Sequence, residues 1–406
     1  MAGRKRLLFL APRLPLPADT GGKIRTLNIL KQLAKRFDIR LVCFSFSGDD
    51  RRLSKDIEAM GVPVTLIPAQ ETGVFAKIGH VLFNPQPYSI AKYRSPRMKA
   101  ELENLKKYPC DAAHIDHLHM AHYRGCFDGL PCVLDEHNVE YKILERCAHV
   151  ERTLWKRIVF RMQAKKMRQF EAARAREFSR CLTVSDDDQK ILTEITGGAV
   201  PVAVAANGVD TEFFTSGAHG KPEEDALVFT GSMDWLPNND AVVYFCKEIL
   251  PLIWKVKKQT RFYIVGKDPS PAILAMARDD QRIIVTGRVD DVRVFMEPAR
   301  VFVVPIRVGG GTRLKILEAL SMQKAVVSTA VGAEGIAHTN GENIVIADDP
   351  APFAQRVLEL LDDEPKRKAL GIAGRHLVRE RYDWNVVGER LGRIYEEVLH
   401  ARANQG

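Results

Sequence analysis

From Val301 to Val327 the chain reads VFVVPIRVGGGTRLKILEALSMQKAVV, and this stretch decides the fold. Val301 to Val304 form a short apolar, mostly β-branched run, the pattern of a strand buried on both faces, and Pro305 ends it. Gly309, Gly310 and Gly311 follow, and a helical pattern opens at Thr312. Strand, glycine turn and helix in that order make one unit of a parallel α/β sheet. Three glycines let a ligand approach the backbone with no Cβ in the way. Amides exposed at a helix start, with the positive end of its dipole, bind anionic phosphate. Arg313 and Lys315 bring cations to the same end. Glu318 is expected about two turns into the helix, within reach of sugar hydroxyls.

Outward from this unit the same alternation repeats. In the first half, strands are expected at residues 6–10, 40–46, 64–68, 113–116, 132–135, 181–184 and 202–205, with a helix over 23–36. In the second half they are expected at 227–230, 261–265, 283–286, 301–304, 325–328 and 344–346. Helices over 240–256, 312–322 and 352–361 fall between them. The polar, glycine-bearing stretch 207–225 interrupts the periodicity. The pattern predicts an α/β protein with two doubly wound, Rossmann-like domains, each with its ligand cleft at the strands' carboxyl ends. Further glycine turns follow the strands at 286–289, where Arg288 can offset phosphate charge, and at 328–335. In the first half, Gly21 and Gly22 precede a helix expected near Ile24, and His137 closes the strand that runs into Asp135-Glu136-His137-Asn138.

Several classes fall away. No G-x-G-x-x-G follows a strand and no G-x-x-x-x-G-K-[ST] occurs, which disfavours dehydrogenases and the common ATPases. With 406 residues, 46% hydrophobic and 27% charged, the chain is neither disordered nor fibrous. Seven scattered cysteines without a C-x-x-C pair read as buried thiols of a reducing compartment. His114, His117, His119 and His122 alternate as a strand or its exit would, and no metal-ligand set completes around them. The apolar run after Arg4-Lys5-Arg6 stops at Pro12, too short for a secretory signal, so a cytoplasmic protein is expected. The net charge of +9 concentrates in residues 146–180, where eleven Lys and Arg face three Glu with no Gly or Pro. That segment reads as one long helix or two shorter ones whose basic face is either solvated or docked on an anionic membrane. No nucleic-acid module is present.

In this order the motifs resemble glycosyltransferase family 4. They are PLPADTGGKIRTLNILKQLAKRFDIRLV, DEHNVEY, LTVSDDDQ, NGVDTEFF, FTGSMDWLPNNDAV, FYIVGKD, VTGRVDDV and PIRVGGGTRLKILEALSMQKAVVST. The resemblance implies a GT-B fold, two Rossmann-like domains facing a central cleft. Residues 1–206 would form the acceptor side and 207–384 the nucleotide-sugar side, with a helix over 385–406 packing back on the first. It implies retaining transfer of a sugar from a nucleotide donor to an acceptor hydroxyl, without a bound metal or other cofactor, and a lipid-linked or saccharide acceptor fits the basic segment 146–180. By position, Glu318 matches the carboxylate that holds the donor ribose. Gly311, Thr312, Arg313 and Leu314 supply backbone amides to the diphosphate, Gly309 and Gly310 belong to the same donor-binding loop, and the backbone of Arg288 and Val289 borders the base. Gly21 and Gly22 face the phosphate and acceptor, and His137 lies near the donor sugar. Two positions depart from the family. Gly310 stands where a second glutamate is common, and the run Gly231 to Asn239 lacks the usual cations. Lys315 and Arg313 are therefore expected to neutralise the phosphates. A nucleotide-sugar 2-epimerase of the same architecture, or a non-catalytic sugar-nucleotide-binding protein, stays open at this point.

Overall fold

The computed structural model describes residues 4–69, 84, 86–151, 153–217, 220 and 223–403. Two compact units are present: Met1–Ala206 with Val387–Gly406, and Asn207–Val386.

The first unit is built on a seven-stranded sheet in the order β3-β2-β1-β4-β5-β6-β7. Its strands are β1 (Arg6–Ala11), β2 (Asp38–Ser45), β3 (Val64–Pro68), β4 (Ala112–Asp116), β5 (Cys132–Asp135), β6 (Arg180–Thr183) and β7 (Val202–Val204). The second unit has six strands in the order β10-β9-β8-β11-β12-β13. These are β8 (Ala226–Thr230), β9 (Arg261–Val265), β10 (Ile283–Gly287), β11 (Val301–Val304), β12 (Ala325–Ser328) and β13 (Val345–Ile346). Every pairing is parallel. β4, β5, β8, β11 and β12 are buried along their whole length, as expected for parallel sheets covered by helices. In each unit the strand order reverses between neighbours, β1 beside β4 and β8 beside β11. A ligand of an open α/β sheet binds at such a switch point, outside the strands' carboxyl ends.

Some local expectations shift. The first helix, Gly21–Ala34, starts at Gly21 rather than Ile24, so both glycines lie in its first turn. The helix after β11 starts at Leu314, not Thr312, because Gly311 has a left-handed φ of 70° and Arg313 is extended. Glu318 is thus one turn into that helix rather than two. The helix expected over 240–256 breaks into Leu236–Tyr244, a wide turn Phe245–Ile249 and Leu250–Val256. Pro251 has no N–H to continue the ladder there. The basic segment contains the end of one helix, Glu140–Val150, and the whole of a second, Leu154–Ala175. All seven cysteines are unpaired thiols, six buried and Cys110 half-buried. Among the described residues no helix is long and apolar enough to cross a membrane.

Candidate active site

In the first unit, polar groups converge where β1, β4 and β5 end. Asp116 closes β4 and is fully buried. Its carboxylate accepts from Thr26 Oγ1 at 2.8 Å and meets His117 Nδ1 and His137 Nε2, each also at 2.8 Å. The imidazoles and the other hydrogen bonds hold this carboxyl well below the usual carboxylate range despite its burial. As an anion it can only accept, which places a proton on His117 Nδ1 and on His137 Nε2. Burial, with His117 next, pushes His137 down to about 4, so its ring is neutral. The two rings lie against each other, centroids 3.5 Å apart and planes tilted by 35°. His137 is 5% exposed and His117 19%, so His117 presents the accessible edge. His117 has φ 69° and ψ 141°, a backbone region that costs a non-glycine residue roughly 1–3 kcal/mol and collects at functional sites.

The surrounding bonds fix this cluster. Asp135, the last residue of β5, takes a two-point ion pair from buried Arg25 at 2.6 and 3.2 Å. His114 stacks on Phe9 at 4.1 Å and pairs through Nδ1 with Tyr395 Oη at 2.6 Å. Gly22 brings the first turn of Gly21–Ala34 against the histidines, and a Cβ there would stand 3.5 Å from His117 Nε2. Thr20, the N-cap, makes no side-chain bond to the helix's amides. The carboxylates that no sequence pattern supplied do complete a set around the histidines. Donor atoms of Asp116, His117 and His137, and of His114, Asp116 and Asp135, come within 4.8 Å of one another. Asp116's oxygens meet Thr26 and the two imidazoles in one connected cluster.

In the second unit the site forms at the ends of β8 to β11. Gly266 has φ 151°, and a Cβ on it would fall inside the van der Waals envelope of Gly231 O. Gly231 N donates to Val265 O and Gly266 N to Gly287 O, which laces the three strand exits together. Lys315, in the first turn of Leu314–Ser321, reaches across to this edge. Its Nζ donates to Asn238 Oδ1 at 2.8 Å and lies 3.8 Å from the centre of the Phe229 ring. Asn238 is fixed in turn by donating to Ser232 O. Burial, reinforced by Arg313, pushes the Lys315 ammonium well below its ordinary range. Burial also pushes Glu318 up to about 7, with Lys315 pulling the other way.

Two families match this chain. Residues 20–213 match Glycosyltransferase Family 4, and residues 224–363 match Glycosyl transferases group 1. The chain belongs to the family 4 glycosyltransferases. The phosphatidyl-myo-inositol mannosyltransferase of Mycobacterium tuberculosis is 29% identical over 209 residues, 48% of this chain and 54% of that protein, about half its length. An uncharacterised 44.6 kDa protein in the cps region of Klebsiella pneumoniae is 21% identical over 389 residues, 93% of this chain and 96% of that one. Among solved structures, Anabaena HepE in complex with UDP and glucose superposes with a TM-score of 0.70 at 13% identity, covering 97% of this chain and all of HepE. Sucrose-phosphate synthase from Thermosynechococcus elongatus gives 0.71 at 15%, covering 98% of this chain and all of that one. The fold of this glycosyltransferase is GT-B.

The residues singled out in the sequence take distinct places in the enzyme. Gly309, Gly310, Gly311, Thr312, Leu314, Lys315 and Glu318 form one continuous loop and helix start. Arg313 is turned back: its Nη1 donates to the carbonyls of Gly310 and Gly311, and Nη2 fills the space a Gly309 Cβ would need. It braces the glycine loop from within. Arg288 and Val289 follow the end of β10, with Arg288 exposed. Gly21, Gly22 and His137 gather at the first unit's cluster. Sequence reasoning missed Arg25, Asp116, Asp135 and Asn238, and set His117 aside. A signal was available: Asp116 and Asp135 are the acidic last residues of two apolar strands.

Proposed function

We propose that this enzyme moves a sugar from a nucleotide-sugar donor to an acceptor hydroxyl with retention of anomeric configuration. The observation that carries the reading is Lys315. The loop after β8 has no cation of its own, and Lys315 delivers one to it from the helix that follows the glycine loop. As the glycosidic bond lengthens, the leaving nucleoside diphosphate gains negative charge. Lys315 and the amides at the start of Leu314–Ser321 stabilise that charge more than the ground state, which is what accelerates transfer. Glu318, one turn further on, takes the ribose hydroxyls. In the first unit we assign His117 to a sugar hydroxyl, with His137 and Asp116 holding its ring. With charge stabilisation supplied by these groups, the reaction uses no resident metal.

We further assign the acceptor to the lipid-linked or saccharide class, in synthesis of a cell-surface polysaccharide or glycolipid at an anionic membrane face. The names of the mannosyltransferase relatives, and a structural neighbour holding UDP and glucose, support this class. The test is a panel of UDP- and GDP-sugars offered with and without lipid-linked and oligosaccharide acceptors. Nucleoside diphosphate should be released only when an acceptor is present, at a rate insensitive to EDTA, and product NMR should show the donor's anomeric configuration. Release without any acceptor, an inverted product or dependence on added metal would overturn the respective part of the reading.

A further inference from the structure

We propose that the exposed start of the helix Leu154–Ala175, with the end of the helix before it, is a docking surface for an anionic lipid bilayer. Leu154, Trp155 and Ile158 are 60%, 63% and 58% exposed, and Val150 adds a fourth large apolar side chain within nine residues. Large apolar groups gathered in water in this way mark an interaction surface. The opposite face of the helix, carrying Gln163, Ala164, Met167, Phe170, Glu171 and Ala175, is buried.

Helical spacing orders the outer face. Leu154, Ile158, Arg161, Lys165 and Arg168 follow one another at steps of four, three, four and three residues, a single stripe about 21 Å long. Its first turn is apolar and the rest cationic, with Lys156 alongside. Among the described residues Lys156, Arg161, Lys165 and Arg168 enter no ion pair, and the acidic side chains within the segment 151–175, Glu151 and Glu171, are turned elsewhere. Glu171 is buried, accepting from Glu140 N and Tyr141 N, while Glu151 accepts from Thr153 N. Aliphatic side chains with a tryptophan, backed by unpaired cations, suit the boundary between acyl chains and anionic headgroups. A nucleic acid would use the cations and leave Leu154 and Ile158 in water. A second copy of the chain would set like charges against each other. The purpose of this surface, bringing the enzyme to a lipid-linked acceptor, rests on the proposed function; its chemistry does not.

The test is co-sedimentation of the full chain with phosphatidylcholine vesicles, with and without phosphatidylglycerol. Binding is expected to the anionic vesicles at low salt, with release at high salt and little binding to phosphatidylcholine alone. Each cation contributes roughly fivefold, so Arg161→Gln with Lys165→Gln should weaken binding roughly 30-fold. Leu154→Ser with Trp155→Ser and Ile158→Ser should weaken it more than about tenfold at unchanged charge. Brominated acyl chains should quench tryptophan fluorescence in the wild type and not in Trp155→Phe. Both multiple variants should keep the wild-type melting temperature and the thermal shift given by UDP or GDP, which separates failure at this surface from failure of the transferase reading. Absence of sedimentation at low salt, binding indifferent to the apolar variant, or quenching that persists in Trp155→Phe overturns the proposal. So does tighter retention by duplex DNA, or a dimer that the apolar variant dissolves.

Discussion

Replacing Lys315 by methionine should lower activity without a matching loss of stability. In the free enzyme the ammonium is pushed well below its ordinary range, first by burial and then by Arg313. The sign follows from that depression. The group's contribution to stability is present above the ordinary lysine value and is lost as pH falls through the depressed one. Methionine removes this penalty at neutral pH, while Asn238 Oδ1 loses its donor at a cost of about 1 kcal/mol. The two oppose each other, so the free enzyme should lose no more than about 1 kcal/mol of unfolding free energy. The bound state differs. A phosphate charge about 4 Å from Nζ, at an effective dielectric constant near 20, attracts it by about 4 kcal/mol, worth about 3 units of pKa. If half of that survives desolvation of both groups, affinity for a nucleoside diphosphate falls roughly 30-fold in Lys315→Met, and kcat/KM by more than tenfold. The same attraction makes binding draw a proton onto Lys315. Titration calorimetry of UDP or GDP in two buffers of different ionisation enthalpy reads that uptake directly. The wild type should take up a proton and Lys315→Met should not. Equal affinity and equal uptake in the two proteins, or an activity loss matched by a fallen melting temperature, would refute the assignment.

Other consequences follow from the same geometry. Burial and the nearby Glu140 push Glu171 up to about 8, and burial pushes Glu140 to about 6. The contribution of Glu171 to stability is full below the ordinary glutamate value and is lost as pH rises through about 8. Denaturant melts should therefore weaken between about pH 5 and 8, by up to about 4 kcal/mol from this group, and Glu171→Gln should remove that share of the slope. Gly266→Ala would force a side chain into Gly231 O at φ 151° and should cost more than about 2 kcal/mol of stability together with nucleotide binding. Gly22→Ala is the opposite case. A Cβ 3.5 Å from His117 Nε2 meets no clash and suits a helix, so the melting temperature should hold while turnover falls as the approach to His117 narrows.

The alternation of apolar runs with glycine turns and helices made both sheets legible, because a strand buried on both faces writes itself as a short continuous run. The expected strands at 301–304 and 325–328 coincide with β11 and β12. What stayed hidden depends on strand order. Asp116 meets Thr26 across 90 residues and Asp135 meets Arg25 across 110, because β4 lies between β1 and β5 in the sheet. No local pattern encodes that neighbourhood, so His117 read as one of four histidines at a strand exit. Arg313 and Lys315 show the finer limit. In the sequence they are equal cations two residues apart at one helix start. In the structure Arg313 is the extended N-cap residue, and its guanidinium closes on the carbonyls of the loop it leaves. Lys315 lies inside the first turn and projects to Asn238, 77 residues away in the first turn of Leu236–Tyr244. Two residues of offset across a helix boundary thus separate a brace from a charge available to a ligand. The distinction rests on where the helix begins, and the left-handed φ of Gly311 sets that point.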